Sequence, residues 1–581
     1  MRGLAVLAAA GVLATACASE RDDSSGEELN ETKPFVFAAP GDARSLDAFY
    51  ATDGETFRVT RQIYNTLLKH EAGGSEIVGD LAKSWEQNDE GTVWTFELEQ
   101  DVTFHDGEKF NAEAVCANYD RWFNLTGDFQ DSNVSYYWQK IFGGFAENES
   151  DDLPPANYKS CTAEEEFKAV IEVEKYSANL PGGFSMAAFG IMSPKVIEAQ
   201  AAAEVTGEPG AFEFPEYSQD PAAVAGTGPY RAVGWDKASQ EIKLERFDEF
   251  WGEAAGIKTL IIKTISDENA RKQALEAGDI HGYDLVAPAD VTPLKDAGFQ
   301  VPERGVFNVL YLAYQQEGNE ALEDLEVRQA LSHAVDRQRI VDTILPDGSE
   351  VATQFMPDTL TGWSPDVTEY EYDTQKAKDM LADAGYADLE IDFCYPTEVT
   401  RPYMPAPRDI FDIIKADLEA AGVTINEEAL PWGDYIPKTD AGGCSLYLLG
   451  WTGDFNEAYN FLGTWFGHYD SGWGFRNDDI FDGLDAVANE PDPAKRETMY
   501  QELNVEIMDF LPGLPISHSP PSIAFSADVN PPTVSPSPRR TSPRPPGSSK
   551  TPSQTANAQP VGFRSAGHCR YLADVMWREA R

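Results

Sequence analysis

Arg401 and Asp454, two residues of opposite charge set among aromatics, have the types and spacing to grip a small zwitterion. Asp454 lies in residues 450–466, GWTGDFNEAYNFLGTWF, just past a short apolar run at 445–449 of the kind that makes a buried strand. A carboxylate there, preceded by Gly453 and walled by Trp451, Phe455 and Tyr459, can hold a cationic group away from water. The plainer alternative is that Asp454 caps the next helix and the aromatics are core. Arg401 opens the RPY stretch 53 residues upstream, and a guanidinium binds a carboxylate through two parallel N–H···O bonds. Tyr403 stands beside it and Trp432 follows the next strand candidate. The candidate ligand-binding set is therefore Arg401, Tyr403, Trp432, Trp451, Gly453 and Asp454.

The elements that must position this set can be read around it. Residues 390–395, EIDFCY, read as a strand ahead of Arg401. Residues 408–421 read as an amphipathic helix, with Ile410, Ile413, Ile414 and Leu418 at helical spacing and Gly422 as its stop. A strand at 423–426 and the run into Gly450 complete an α/β pattern. Arg401 and Asp454 then sit on loops leaving the carboxyl ends of strands, the side on which such sheets bind ligands.

These residues resemble the large solute-binding proteins of ABC importers that carry peptides, most closely the dipeptide and oligopeptide binders. RPYMP at 401–405 and GWTGD at 450–454 resemble the two segments whose Arg takes a peptide's C-terminal carboxylate and whose Asp takes its α-amino group. The chain departs after Asp454, where FNEAYNF replaces an Asp-Pro-rich continuation; the departure falls on the side-chain pocket. Further likenesses are LAKSW at 81–85, the stretch 96–107 ending in VTFHDG, GTGPY at 226–230 and VRQALSHAVDR at 327–337. The resemblance implies an α/β, two-lobed periplasmic-binding-protein fold of type II with an extra subdomain in the first lobe. It implies lobe I at 34–305, lobe II at 306–515 and a return to lobe I at 516–528. The function it implies is capture of short peptides, dipeptides first, in an interlobe cleft for delivery to a membrane permease. The expected protein is a monomer and not an enzyme, with no cofactor. Open alternatives are another cargo (an oligosaccharide stacked on Trp432, Trp451 and Trp465, a metal chelate, or a haem) or a secreted hydrolase.

Composition sets the bounds. The 581 residues, 42% of them apolar, can build two lobes with cores. A net charge of −53 argues against nucleic acid as a partner, since phosphates call for Lys and Arg. Residues 1–17 read as an export signal, too short to span a bilayer, ending in an ATAC stretch that resembles a lipoprotein processing site. Lipidation of Cys17 would tether the chain to the outer face of the plasma membrane, with 18–33 as a polar stalk; the alternative is plain secretion, leaving the chain periplasmic. In an exported protein, two disulfides are expected: Cys116 with Cys161 and Cys394 with Cys444, each closing a loop within one lobe. No CxxC and no clustered His suggests a metal site. Residues 529–581 hold eight Lys and Arg against two acids, net +6, whereas residues 1–528 hold 37 against 96, net −59. That Pro-rich tail cannot bury enough surface to fold alone and reads as a shifted frame rather than a basic membrane-facing tail. In that reading Cys569 is an accident.

Several other residues invite chemistry and are assigned structural roles. His105 reads as a turn histidine, and Ser185 lacks the glycine that a GxSxG elbow needs. The glycines at 226 and 228 read as a tight turn, and His333 with Asp336 as an exposed polar helix face. Residues 121–158 read as a surface insertion held by the first disulfide.

Overall fold

Two six-stranded sheets, each the centre of a lobe, organise the computed structural model, which describes residues 33–529 apart from 72–73, 152 and 208–211. The expectations for the export signal, Cys17, most of the stalk, the basic tail and Cys569 lie outside the described residues. In the first lobe the strands run in the order Ile523–Phe525, Gly282–Asp284, Phe35–Ala39, Thr259–Thr264, Glu241–Arg246 and Tyr230–Asp236. In the second the order is Glu350–Val351, Gly513–His518, Asn308–Tyr314, Leu446–Thr452, Glu390–Thr397 and Thr424–Pro431. Every residue of Asn308–Tyr314 is buried, as expected for a central strand with both faces covered. Among the described residues, no helix is long and apolar enough to cross a membrane.

The first lobe carries a subdomain built on an antiparallel sheet ordered Ala82–Gln87, Val93–Leu98, Lys168–Val173 and Tyr158–Glu165. Trp94, Phe96 and Leu98 alternate inward along the second of these strands. The stretch 121–158 is not a surface insertion. It contains the helix Ser132–Phe142, whose Val134, Trp138 and Phe142 are fully buried and meet Tyr158 and Phe189 in the first lobe's core. Its polar residues hid this pattern, because the helix is kinked at Ser135 and its buried face is aromatic rather than aliphatic.

Three other readings change with the structure. Residues 327–345 form two helices, Leu325–Ala334 and Arg337–Thr343, because Asp336 leaves helical geometry and accepts from the Arg339 amide as an N-cap. His333 is consequently buried and not on an exposed face; its Nδ1 lies 2.6 Å from the Glu371 carbonyl. The strand Gly513–His518 pairs with Asn308–Tyr314 and so belongs to the second lobe, with Leu514 and Ile516 in its core. The return to the first lobe therefore begins past His518, not at 516. The two crossing segments are tied to each other: Asn308 Nδ2 donates to the Ser519 carbonyl at 2.8 Å, and the Ser519 amide donates to Asn308 Oδ1 at 3.1 Å.

The disulfides Cys116–Cys161 and Cys394–Cys444 are both present. The first joins the helix Ala112–Phe123 to the strand Tyr158–Glu165. The second joins the strand ahead of Arg401 to the residue pair leading into the strand ahead of Asp454.

His105 does hold a turn: its ring lies 2.9 Å from the Gly228 carbonyl and 3.4 Å from the Gly226 amide, stitching VTFHDG to GTGPY. Burial lowers the pKa of His105 to about 4, and that of His518 likewise to about 4. His281, His333 and His468 shift in the same direction, again chiefly by burial. Such rings stay neutral in the folded chain while an unfolded chain takes up protons below about pH 6.5. Their stabilising effect is thus complete above that pH and is lost as pH falls towards 4. Denaturant melts from pH 7 down to 4 are expected to show loss of stability. His105→Gln should flatten the curve, removing up to about 3 kcal/mol of its pH-dependent part.

Candidate functional site

Three neighbouring strands of the second lobe run parallel and therefore end on one rim. Glu390–Thr397 pairs with Thr424–Pro431 along its whole length, and with Leu446–Thr452 through Phe393 opposite Leu446 and Cys394 opposite Tyr447. The right-handed preference of strand–helix–strand units brings such strands side by side, here through the helix Pro407–Ala420. That helix starts with Pro407 at its first turn and buries Ile410, Phe411, Ile414 and Leu418. Gly422, at φ 101°, turns the chain into the next strand. The strand after it is longer than the sequence suggested, Thr424–Pro431 rather than 423–426. Arg401, Trp432 and Asp454 each lie just beyond the carboxyl end of one of these strands, so all three stand along the same edge.

Their local supports differ. Glu398 takes a left-handed conformation (φ 59°) that turns the chain off the sheet, and Arg401 then forms a tight two-way backbone bridge with Met404. The Arg401 guanidinium stacks on the Trp432 ring, 4.2 Å from its centroid. Tyr403 is buried and packs directly on Gly450, where any Cβ would sit 2.4 Å from the tyrosine ring and 2.3 Å from the Val309 carbonyl. The RPY and GWTGD segments are in this way one packed unit. Gly453 admits the Phe307 ring, 2.3 Å from where its Cβ would be, and its amide donates to the Phe307 carbonyl at 2.9 Å. Tyr435 underlies the rim, donating to the Leu448 carbonyl at 2.6 Å; burial raises its pKa well above the usual phenol value.

Asp454 is buried, and its carboxylate is held by groups from both lobes. Tyr137, on the first lobe's helix Ser132–Phe142, donates its hydroxyl to Oδ1 at 3.2 Å. Asn460 donates Nδ2 to Oδ2 at 3.2 Å and accepts the Asp454 amide at 2.7 Å and the Trp451 indole N–H at 3.3 Å. Asp454 is not an N-cap: the helix Tyr459–Phe466 begins after Ala458, with no side-chain cap. Trp451 and Trp465 meet edge to face in the second lobe's core, so neither ring forms the outer wall imagined for a sugar platform.

A contrast with other arginines defines the site's electrostatics. Arg328 is buried and donates to the carbonyls of Leu511, Leu322, Glu323 and Phe510; Arg337 donates to those of Ala352, Pro515 and Tyr370. A buried cation is costly unless its donors are met, and these are met by backbone. Among the described residues, by contrast, no carboxylate or carbonyl accepts from the half-buried Arg401 guanidinium, and its Nε has no partner. The rim thus offers a guanidinium whose Nε is unmet beside a buried carboxylate held by Tyr137 and Asn460. Among the described residues, no group of three or more His, Cys, Asp or Glu is arranged to hold a metal ion.

Tyr137 and Asn460 escaped the sequence reading. Asn460 lies inside the aromatic stretch, six residues past Asp454, a spacing with no local meaning until the turn folds back. Tyr137 is 317 residues away from Asp454, and only tertiary structure joins them. Asn460→Ala leaves the Asp454 amide and the Trp451 indole without acceptors. It is expected to cost about 1–3 kcal/mol in denaturant unfolding with little change in the far-ultraviolet circular dichroism.

Residues 76–473 match the family of bacterial extracellular solute-binding proteins, family 5 Middle. The chain is 27% identical over 505 residues to a dipeptide-binding protein of Escherichia coli (strain K12), covering 84% of this chain and 90% of that one. It is 26% identical over 541 residues to haem-binding protein A of Haemophilus influenzae, covering 89% and 94%. Among solved structures, the ABC transporter-associated periplasmic binding protein DppA from Helicobacter pylori, in complex with the peptide STSA, superposes with a TM-score of 0.71. At 23% identity, over 85% of this chain and 94% of that one, this likeness speaks for the two-lobed fold.

Proposed function

Because the chain belongs to the family 5 bacterial extracellular solute-binding proteins, which serve ABC importers, we propose that its cargo is a short peptide, a dipeptide first of all. The observation that carries this reading is the pairing of an unpartnered Arg401 with a buried Asp454 on one rim of parallel strands. In this reading Arg401 takes the cargo's carboxylate with its ring-stacked guanidinium, and Asp454 takes its ammonium beside the Tyr137 hydroxyl. Tyr403, Gly453 and Trp451 hold the two segments in place, and Trp432 sets the plane of the guanidinium. Charged ends two residues apart span roughly 7 Å of extended backbone, so a fixed separation of the two side chains selects for chain length. The E. coli relative is a dipeptide-binding protein, and the H. pylori structure holds a peptide.

The H. influenzae relative is a haem-binding protein, so cargo class is the point to test. The burial of Trp451 and Trp465 removes two of the three rings on which an oligosaccharide would stack. The role proposed is binding and delivery, by a monomer, without turnover of the cargo.

Titration calorimetry with a zwitterionic dipeptide is expected to give micromolar binding, near −8 kcal/mol. The N-acetylated and C-amidated forms should each bind far more weakly. Asp454→Ala and Arg401→Ala should each lose about 2–5 kcal/mol, because one charge of each buried pair is left unmatched. Equal binding of blocked and free peptides would remove the zwitterion clamp. A haem or sugar that bound while dipeptides did not would replace the cargo.

We propose as well that Cys17 is the lipid-bearing residue and that the chain works at the outer face of the plasma membrane, facing an ABC permease. Cys17→Ala should move the protein from the membrane fraction to the soluble fraction and abolish incorporation of labelled fatty acid. Unchanged labelling would place the anchor elsewhere.

A further inference from the structure

Phe455 follows Asp454 on a turn that extends the strand Leu446–Thr452 and so is connected to the second lobe. Its ring nevertheless lies in the hydrophobic cluster of the first lobe, 3% exposed. There it rests on Gly182, in the short helix Leu180–Ser185, where a Cβ would lie 2.4 Å from Phe455 Cγ and Cδ2. The turn cannot follow its ring by bending, since Gly453 donates to the Phe307 carbonyl and Asp454 to Asn460 Oδ1 within the second lobe. A second link runs from the same turn: Glu457 lies 3.9 Å from Arg496, which donates to the Tyr176 hydroxyl of the first lobe at 3.2 Å.

We propose that Phe455 is a closure plug, an aromatic side chain that leaves water only when the lobes meet, so that the turn presenting Asp454 also holds the lobes together. The ligand half of this idea rests on the reading of Asp454 given above; the closure half holds for any cargo. A Phe transferred from water into a fitted apolar seat shifts an equilibrium by roughly 10- to 100-fold. The Gly182 seat has no room for a methyl group while the plug is in, so seat and plug must act as one unit.

The test compares the parental chain with Phe455→Ala, Gly182→Ala, the double variant and Phe455→Leu. The readouts are small-angle scattering without peptide and the affinity and dissociation rate for alanyl-phenylalanine. Phe455→Ala and Gly182→Ala should each enlarge the radius of gyration of the peptide-free protein. Each should also weaken alanyl-phenylalanine about 10- to 100-fold, mainly through faster dissociation. Phe455→Leu, which keeps an apolar filler, should restore most of both. In the Phe455→Ala background Gly182→Ala should add much less than it does alone, because the ring atoms 2.4 Å from its methyl group are gone and, of the three nearest atoms, the Cβ of residue 455 at 2.9 Å remains. Parental scattering and affinity in Phe455→Ala, or additive effects of the two substitutions, would overturn the plug. If Phe455→Ala does not fold, Gly182→Ala and Phe455→Leu decide by the same readouts. C-amidated alanyl-phenylalanine separates the two readings: a clamp on both peptide ends predicts that it binds the parental chain far more weakly than the free dipeptide, while the scattering of the plug variants is read with no peptide present. Failure of alanyl-phenylalanine to bind even the parental chain would sink the cargo reading, while scattering still decides the plug.

Discussion

The parallel pairing of Glu390–Thr397 with its two neighbours is the constraint on which the rest of the site depends. Parallel strands end on the same side, so residues that follow them by a few positions must emerge together, however far apart they stand in the chain. Arg401, Trp432 and Asp454 are neighbours for that reason alone. The Cys394–Cys444 disulfide crosses between the same strands, and the close seat of Tyr403 on Gly450 removes what slack remains. In the proposed clamp, two opposite charges need a held separation more than they need strength, since attraction alone would let the two side chains collapse on each other.

Charge is distributed in two regimes. The net charge of −53 is an excess of acid of the kind that keeps a protein in solution by repulsion. Inside, several charges are matched by specific partners. Asp284, fully buried beside the crossing between lobes, receives Arg58 at 2.7 Å and also Arg304 from the crossing segment itself. Arg328 and Arg337 are met by carbonyls at the ends of strands and helices. Against that background the half-buried Arg401 guanidinium, met among the described residues by an aromatic face, stands out. Desolvation makes an unmatched charge costly, and in the proposed reading an incoming carboxylate relieves that cost.

Aromatic packing connects the two lobes to this chemistry. The Trp451 and Trp465 pair fixes the base of the Asp454 turn in one lobe, while Tyr137 and the seat of Phe455 receive it in the other. The first lobe's contribution comes from the helix Ser132–Phe142, in a stretch whose polar composition concealed a buried face.

Much of this was written in local sequence. The apolar run before Gly450, the amphipathic helix with Gly422 at its end, and the alternation of Trp94, Phe96 and Leu98 follow from periodicity and turn chemistry, while the pairing of four cysteines follows from the export context together with the two lobes that the family resemblance implies. Those signals are legible because they act over a few residues or through a single covalent partner. Other features were not: the kinked aromatic helix at 132–142, the break at Asp336, the second-lobe membership of Gly513–His518, and the partners of Asp454 all depend on which distant surface arrives. The sequence by itself determined that an Arg and an Asp would leave the carboxyl ends of strands in an α/β lobe, because side-chain period and glycine stops are local properties. Only the tertiary structure decided that Tyr137 and Asn460 complete the carboxylate site and that Phe455 crosses to the other lobe. Contacts between segments hundreds of residues apart are set by packing, which leaves no periodic mark on the chain.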